Sequence, residues 1–512
     1  MAKYYFTYDG GTQSTKVALY RDDMTCVAQH AVPNHIRYPQ ADWAEIDADD
    51  YVEAVRIGIR ACLDQSKINP REVRALCGDG IICGVLGIGK DGKAVTPYLP
   101  YLDSRAHDIA EELNAHPDPL WVSESGNNRV DPFYPPMIVK WLIENHPGFR
   151  EEVAKVVPNG SYIAARLAGL SAEEAFIDSA TLSAWLVGFD AMNKQWSKAQ
   201  MDNLGIPLDI LPTIVNPWDI VGALCEDEAQ SMGLPAGIPI VAGAGDTMQS
   251  NLGCGLVDAG MAADVAGTAA MFTVMVDGIH ERLSRESNLL FSVGTLPDTY
   301  FYWGYIRTGG LSLQWFRDKI CDRADDPTFY DDMQERAAAV PPGSRGTLFI
   351  PYLTGGTGEL ANSSAGFVNM TSNSDQAEMW RSILESIAYE YRSLTDSLSE
   401  CGISIDNVVI TEGGSKSPLW NQIKADVLEV PTYTLQKSEG ALLASAVMAA
   451  YAIGDVADFK GAIARYVERK DEFAPNSTAC TRYRTVFGVQ QQLVKETMKP
   501  SFDLIKGLQA YE

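Results

Sequence analysis

"YFTYDGGTQSTKVALY", residues 5–20, sets one carboxylate, Asp9, between an apolar run and a turn of glycine and hydroxyl residues. The β-like runs at 4–8 and 16–20 predict an N-terminal hairpin with its polar residues at the tip. Gly10 and Gly11 let the backbone approach a ligand closely, while Thr12, Gln13 and Ser14 bring amide and side-chain donors that can wrap phosphate oxygens. Asp9, at the end of an apolar strand, is suited to hold a magnesium ion directly or through water. The same letters also suit an ordinary tight hairpin with a turn-forming Asp-Gly pair.

A second stretch changes the weight of the first. "MAADVAGTAAMFTVMV" (261–276) again reads strand, Gly-Thr turn, strand, and Gly267-Thr268 falls where Gly11-Thr12 fell. The chain repeats one architectural idea, weakly in letters and clearly in pattern. Two such turns in two domains can face each other across a cleft and embrace one nucleotide; coincidental similarity of two glycine turns is the alternative. A third turn, "GGSKSPLW" (413–420), leads into a helix and can receive an adenine or ribose, or can simply cap that helix through Ser415 or Ser417. The apolar run "IPIVAGAG" (238–245) ends in Asp246, in front of which Gly243, Ala244 and Gly245 clear space. A substrate hydroxyl can give its proton to such a carboxylate, and phosphoryl transfer asks little more of a protein than this, positioning and charge stabilisation. A helix N-cap is the plainer role for Asp246.

The rest of the chain mixes strands and helices. "VRALCGDG" (73–80) reads as a strand and "GVLGIGKDGKAV" (84–95) as a second hairpin turning at Lys90–Lys93; 135–147 and 161–170 carry helical spacing. A long helix is expected over 376–399, ended by Gly402, and 407–435 reads strand, glycine turn, helix, strand, with a small-residue helix at 440–453 behind it. The expected architecture is two α/β domains with a central cleft, residues 1–250 and 251–512, the final helices packing back on the first domain.

At 512 residues the chain exceeds what one core usually supports, and 46% hydrophobic residues suffice to bury real ones. Its net charge of −26, from 67 acidic and 41 basic residues, repels nucleic acid and anionic membranes. Phosphate must therefore be held by local amides, a metal or a few placed side chains. Nine scattered cysteines without a CxxC pair read as reduced, mostly buried thiols. No long apolar leader or span of about 18 apolar residues occurs, so a cytoplasmic protein is expected. A homodimer is the expectation only because two-fold assemblies are common. "GIGKDGKA" (87–94) fits part of a P-loop, but Ala94 occupies the magnesium-binding Ser/Thr position and a hairpin is expected there. The six histidines form no H-x-x-x-H pair, so zinc and a histidine-centred triad lack support.

Taken together, the segments resemble the FGGY carbohydrate kinases, the sugar-kinase branch of the actin-like, ribonuclease-H-like ATPases. "DGGTQSTKVALY" (9–20) is similar to the family's D-x-G-T-x-S-x-K phosphate hairpin, and "DWAEIDADDY" (42–51) to its W-x-E-x-D-P segment. "YLDSRA" (101–106) resembles W-x-D-x-R, with Tyr101 where Trp is usual; "GAGDTMQSNLGCG" (243–255) resembles the catalytic-aspartate segment and "GTAA" (267–270) the second phosphate turn. "GGSKSPLWNQIKADVLEVP" (413–431) is very similar to the adenine-side segment and is the most specific match.

That resemblance implies ATP- and Mg2+-dependent phosphoryl transfer to a sugar or polyol hydroxyl. Carried over by position, Asp246 is the general base and Asp9, with Asp246, the metal partner. Gly11, Thr12, Gln13, Ser14 and Lys16 form the first phosphate cradle and Gly267 and Thr268 the second. Gly310, Gly413, Gly414, Ser417 and Asn421 take the nucleoside, and Asp103 and Arg105 the sugar. The xylulose kinase subgroup looks closest and puts D-xylulose first, although its Q-M-H-G is replaced here by Ile81-Ile82-Cys83-Gly84. That loss removes hydrogen bonds on which discrimination depends, so ribulose or another ketose or polyol competes. An actin-like or chaperone-like ATPase is the rival from another class, but it needs an additional peptide-binding domain, and none is visible; a sugar-sensing paralogue without turnover is the other rival.

Overall fold

In the computed structural model, which describes residues 2–356, 360, 362–436 and 440–509, two mixed sheets each carry the repeated idea. The opening hairpin is real: β1 (Tyr4–Gly10) and β2 (Ser14–Arg21) pair antiparallel with Asp9 opposite Lys16, and β3 (Cys26–Pro33) follows antiparallel. After α1 (Ala48–Ser66), capped by Asp47, β4 (Val73–Gly80) returns parallel to β1. Later come α2 (Asn159–Ala168), β5 (Ile220–Ala223) and β6 (Pro239–Gly245), β6 parallel to β4, giving the order β5-β6-β4-β1-β2-β3.

The second sheet repeats this plan. β7 (Met261–Ala266) and β8 (Ala270–Val276) form the second hairpin. β9 (Leu290–Val293) and β10 (Tyr300–Ile306) extend it antiparallel, and β11 (Asn407–Thr411) and β12 (Thr432–Leu435) add parallel to β7. β13 (Arg469–Phe473) closes the order β9-β10-β8-β7-β11-β12-β13. Three antiparallel strands followed by two parallel ones thus recur as β3-β2-β1-β4-β6 and β10-β8-β7-β11-β12. The chain is an α/β protein of two ribonuclease-H-like domains in the actin-like ATPase arrangement.

Alternation along the strands covers the first sheet on both faces. Phe6, Tyr8, Val17, Leu76 and Ile240 pack towards α1 and α2. Tyr5, Ala18, Ala75, Cys77 and Val241 pack under α7 (Gly440–Ala452), a helix almost wholly apolar and buried. The small-residue helix expected behind the second half therefore lies on the first sheet. It crosses α3 (Asp246–Gly253) so closely that a Cβ added at Gly253 would stand 2.1 Å from the Gly440 carbonyl carbon. The long helix α5 (Gln376–Glu400) and α6 (Pro418–Leu428) carry the second core, α5 starting at an Asp375 cap that accepts from the Glu378 amide.

One expected element differs. Residues 84–95 do turn back at Lys90–Lys93, with the Gly89 amide donating to the Lys93 carbonyl, the Val95 amide to the Gly87 carbonyl and an antiparallel bridge between Ile88 and Ala94, but Gly84–Ile88 also pairs with Leu99–Pro100 and Lys155–Val157. The distant strand at 155–157 thus adds to the local turn and makes the segment part of a three-stranded sheet. The P-loop reading stays excluded, since this segment is strand and turn.

Candidate active site

Parallel β1, β4 and β6 end side by side, and a carboxylate stands at each end. Asp9 is in register with Asp79, and Asp79 with Ala244, two residues before Asp246. Gly243 makes that approach practicable: its φ is +76° and a Cβ there would stand 1.8 Å from the Gly78 carbonyl oxygen. Asp246 opens α3 behind a Gly245 N-cap, so it is not itself the cap, and its Oδ1 accepts from the Thr247 amide at 2.6 Å. Burial, then the charge of Asp9, pushes the Asp246 carboxyl up to about 7. Burial, then Asp9 and Asp246, holds Asp79 well above the ordinary carboxylate range.

Asp9 presents Oδ2 to Lys16 Nζ at 3.6 Å, while its Oδ1 is buried with no hydrogen-bond partner among the described residues. Two hard carboxylate oxygens at this strand end, one of them orphaned, fit a magnesium ion. The turn beyond Asp9 is tied down by Asn34: its Nδ2 donates to the Gly11 carbonyl at 2.7 Å, its amide to the Gln13 carbonyl, and its Oδ1 accepts from Thr15. Thr12 and Ser14 stay half-buried and Gln13 exposed at the tip.

The second turn is fastened from across its sheet, since the amides of Gly310 and Leu311, opening α4 (Gly309–Trp315), donate to the carbonyls of Gly267 and Thr268. Gly267, Thr268, Gly310, Gly413, Gly414 and Ser417 all line one cavity of about 570 Å³, joined by Trp380, Tyr330 and Gln334. Ser417 does two jobs. It caps α6 by accepting from the Trp420 amide and donates to Gln334 Oε1 at 2.6 Å. Asn421 is buried and does not line the cavity; its Nδ2 holds the Ser415 carbonyl at 2.9 Å and so props the glycine turn from behind.

Just before that turn Glu412 adopts φ 59°, ψ −155°, backbone that glycine alone adopts without strain. Glu412→Gly is expected to raise unfolding stability by about 1 kcal/mol, read from the urea midpoint. An unchanged or lowered midpoint counts against the strain.

Asp103 and Arg105 are brought together, but as a closed brace. Asp103 is fully buried; its carboxylate accepts from Arg105 Nε at 2.9 Å and from the Ala44 amide at 2.8 Å. Arg105 also donates to Glu45 at 3.0 Å and lies 3.9 Å over the Trp43 ring. The two motif segments at 42–51 and 101–106 therefore clamp one another, and Tyr101 and Leu102 are left exposed beside the clamp. Beside Asp246, Cys83 is buried, with its thiol pushed up by burial and then by Asp246 and Asp131.

Sequence reading missed Asp79, Asn34, Tyr330, Gln334 and Trp380. Trp380 lies within the helix expected over 376–399, whose apolar positions read only as core. The other signal available was the acid in "VRALCGDG", whose meaning depends on strand order.

Comparison with known proteins follows the same outline. The model of the N-terminal domain of the FGGY family of carbohydrate kinases matches residues 4–253, and that of the C-terminal domain matches 263–453. Gluconokinase of Bacillus subtilis (strain 168) is 25% identical over 505 residues, covering 96% of this chain and 95% of its own. Xylulose kinase of Staphylococcus epidermidis (strain ATCC 12228 / FDA PCI 1200) is 24% identical over 479 residues, 90% of each chain. The solved xylulose kinase of Rhodospirillum rubrum superposes with a TM-score of 0.89 at 23% identity, covering 98% of this chain and 100% of that one.

Proposed function

Because the chain belongs to the FGGY family of carbohydrate kinases, we propose that it moves the γ-phosphoryl group of ATP onto a hydroxyl of a pentulose, D-xylulose giving D-xylulose 5-phosphate. The observation that carries the chemistry is Asp246, held at a strand end beside Asp9, with glycine turns of both sheets available for phosphates. In this reading Asp246 orients the substrate hydroxyl and takes its proton as the oxygen–phosphorus bond forms; ADP departs with the electrons of the broken bond. Residues 11–14 and 267–268 direct donors at phosphate oxygens, Gly413, Gly414 and Ser417 border the nucleoside, and Asp9 holds the cation. Magnesium, when bound, neutralises phosphate charge. Asp103 and Arg105 shape the sugar side by bracing the segment that carries Tyr101.

A second substrate, an aldonate such as gluconate, is favoured by one observation. A gluconokinase is among the relatives of nearly full length, while the replacement of the polar residues of Q-M-H-G by Ile81, Ile82 and Cys83 weakens the case for xylulose without itself selecting an aldonate. A screen for ADP release over pentuloses, polyols, aldoses and gluconate tests both. Turnover confined to a pentulose supports the first reading and turnover on gluconate the second. ATP hydrolysis that no sugar accelerates overturns the kinase assignment.

A further inference from the structure

Asp79 belongs to none of the segments that mark the family resemblance, yet it sits beside Asp9. It is fully buried at the end of β4 and paired in register with Asp9 across adjacent parallel strands. Its Oδ2 accepts from Ser445 Oγ of α7 at 3.3 Å, and Ser445 in turn accepts from Gln249 Nε2 of α3 at 3.0 Å. Its Oδ1 has no hydrogen-bond partner among the described residues, and neither has Asp9 Oδ1. Two buried carboxylate oxygens left orphaned on residues paired across neighbouring strands are costly unless something positive or protic reaches them. Among the described residues Lys16 is the cation paired with this group, and it is on the other oxygen of Asp9.

We propose that Asp79 is a second carboxylate of the cation site, making with Asp9 a pair that holds a divalent ion before any nucleotide arrives, and that Ser445 orients it. The inference rests on Asp9 as the holder of the metal but not on which sugar is used. Oxygen donors suit Mg2+ and Mn2+ alike. The outer partner fits a known pattern, in which groups that orient a ligand tune affinity.

The test is Mn2+ binding to the full-length protein by electron paramagnetic resonance, with sugar and nucleotide absent. Wild type is expected to bind one ion. Asp79→Asn, similar in shape and uncharged, is expected to weaken binding by about tenfold or more, as Asp9→Asn does, and Ser445→Ala to weaken it less. Melting curves establish that each variant is folded, and Asp79→Ser serves as a second neutral replacement. Wild-type affinity in both Asp79 variants overturns the proposal, as does wild type that binds no Mn2+ without nucleotide. Binding that depends on Asp79 in a chain that phosphorylates no sugar keeps this inference and removes the kinase reading.

Discussion

Asp246→Asn is expected to lower the rate of phosphoryl transfer by about 10²–10⁴-fold, the usual loss when a general base is removed. Nucleotide affinity should change little, because the cavity of about 570 Å³ on the second sheet is lined by residues 266–420 and not by α3. The pH profile gives an independent check. Burial and the neighbouring charge of Asp9 raise the carboxyl to about 7, so the proton-accepting form is lost as pH falls through that value. The wild-type kcat/KM for sugar should therefore show an acid limb near pH 7, since that ratio reports groups of the free enzyme. The same shift has a stability sign. A raised carboxyl favours the folded state most below its unfolded value near 3.8 and loses that contribution as pH rises towards 7. Asn cannot ionise, so the variant should melt above wild type at pH 8, with the gap narrowing on acidification. Unchanged turnover in the Asn variant removes Asp246 from the chemistry.

The second large effect lies in the domain that offers the nucleoside cavity. Lys424 of α6 and Asp264 of β7 are both about 1% exposed and pair at 2.5 Å; Tyr391 of α5 donates to the other Asp264 oxygen at 2.6 Å. Lys424 also lies 3.8 Å over Trp420, which lines the cavity. Burial draws the Lys424 ammonium below its ordinary value while Asp264 pulls it back up. Asp264→Asn leaves that ammonium without its counter-charge and is expected to cost about 3–5 kcal/mol of unfolding free energy in a urea titration. Lys424→Met combined with Asp264→Leu should recover much of the loss, because a hydrophobic pair of similar volume needs no compensation. A single variant within 1 kcal/mol of wild type would contradict the picture of an obligatory pair.

What could be read from the letters follows from the range of the interactions involved. Both hairpins, the long helix α5 and the strand-turn-helix-strand of 407–435 are written in local periodicity and turn chemistry, and they form as expected. At 84–95 the local turn was legible, but the second partner of Gly84–Ile88 was not, because it lies about 70 positions on, at 155–157. The destination of α7 was illegible for another reason: a helix apolar on every side carries no stripe that points to one sheet rather than another. Asp246 stood out because small residues precede it. Asp79 did not, since its neighbourhood with Asp9 exists only once β4 is laid beside β1. For Asp103 and Arg105 the motif letters located a real cluster, but not that its charges are spent on each other and on Glu45.

The helix at 440–452 makes the two halves of the polypeptide interdependent. Severed anywhere between the sheets, the amino-terminal piece would bare Tyr5, Ala18, Cys77 and Val241, a greasy surface with nothing to shield it from self-association. Separately expressed pieces should each precipitate, yet regain solubility when produced in one cell. An inserted reporter or a circularly permuted terminus will be tolerated only where it leaves that borrowed lid attached.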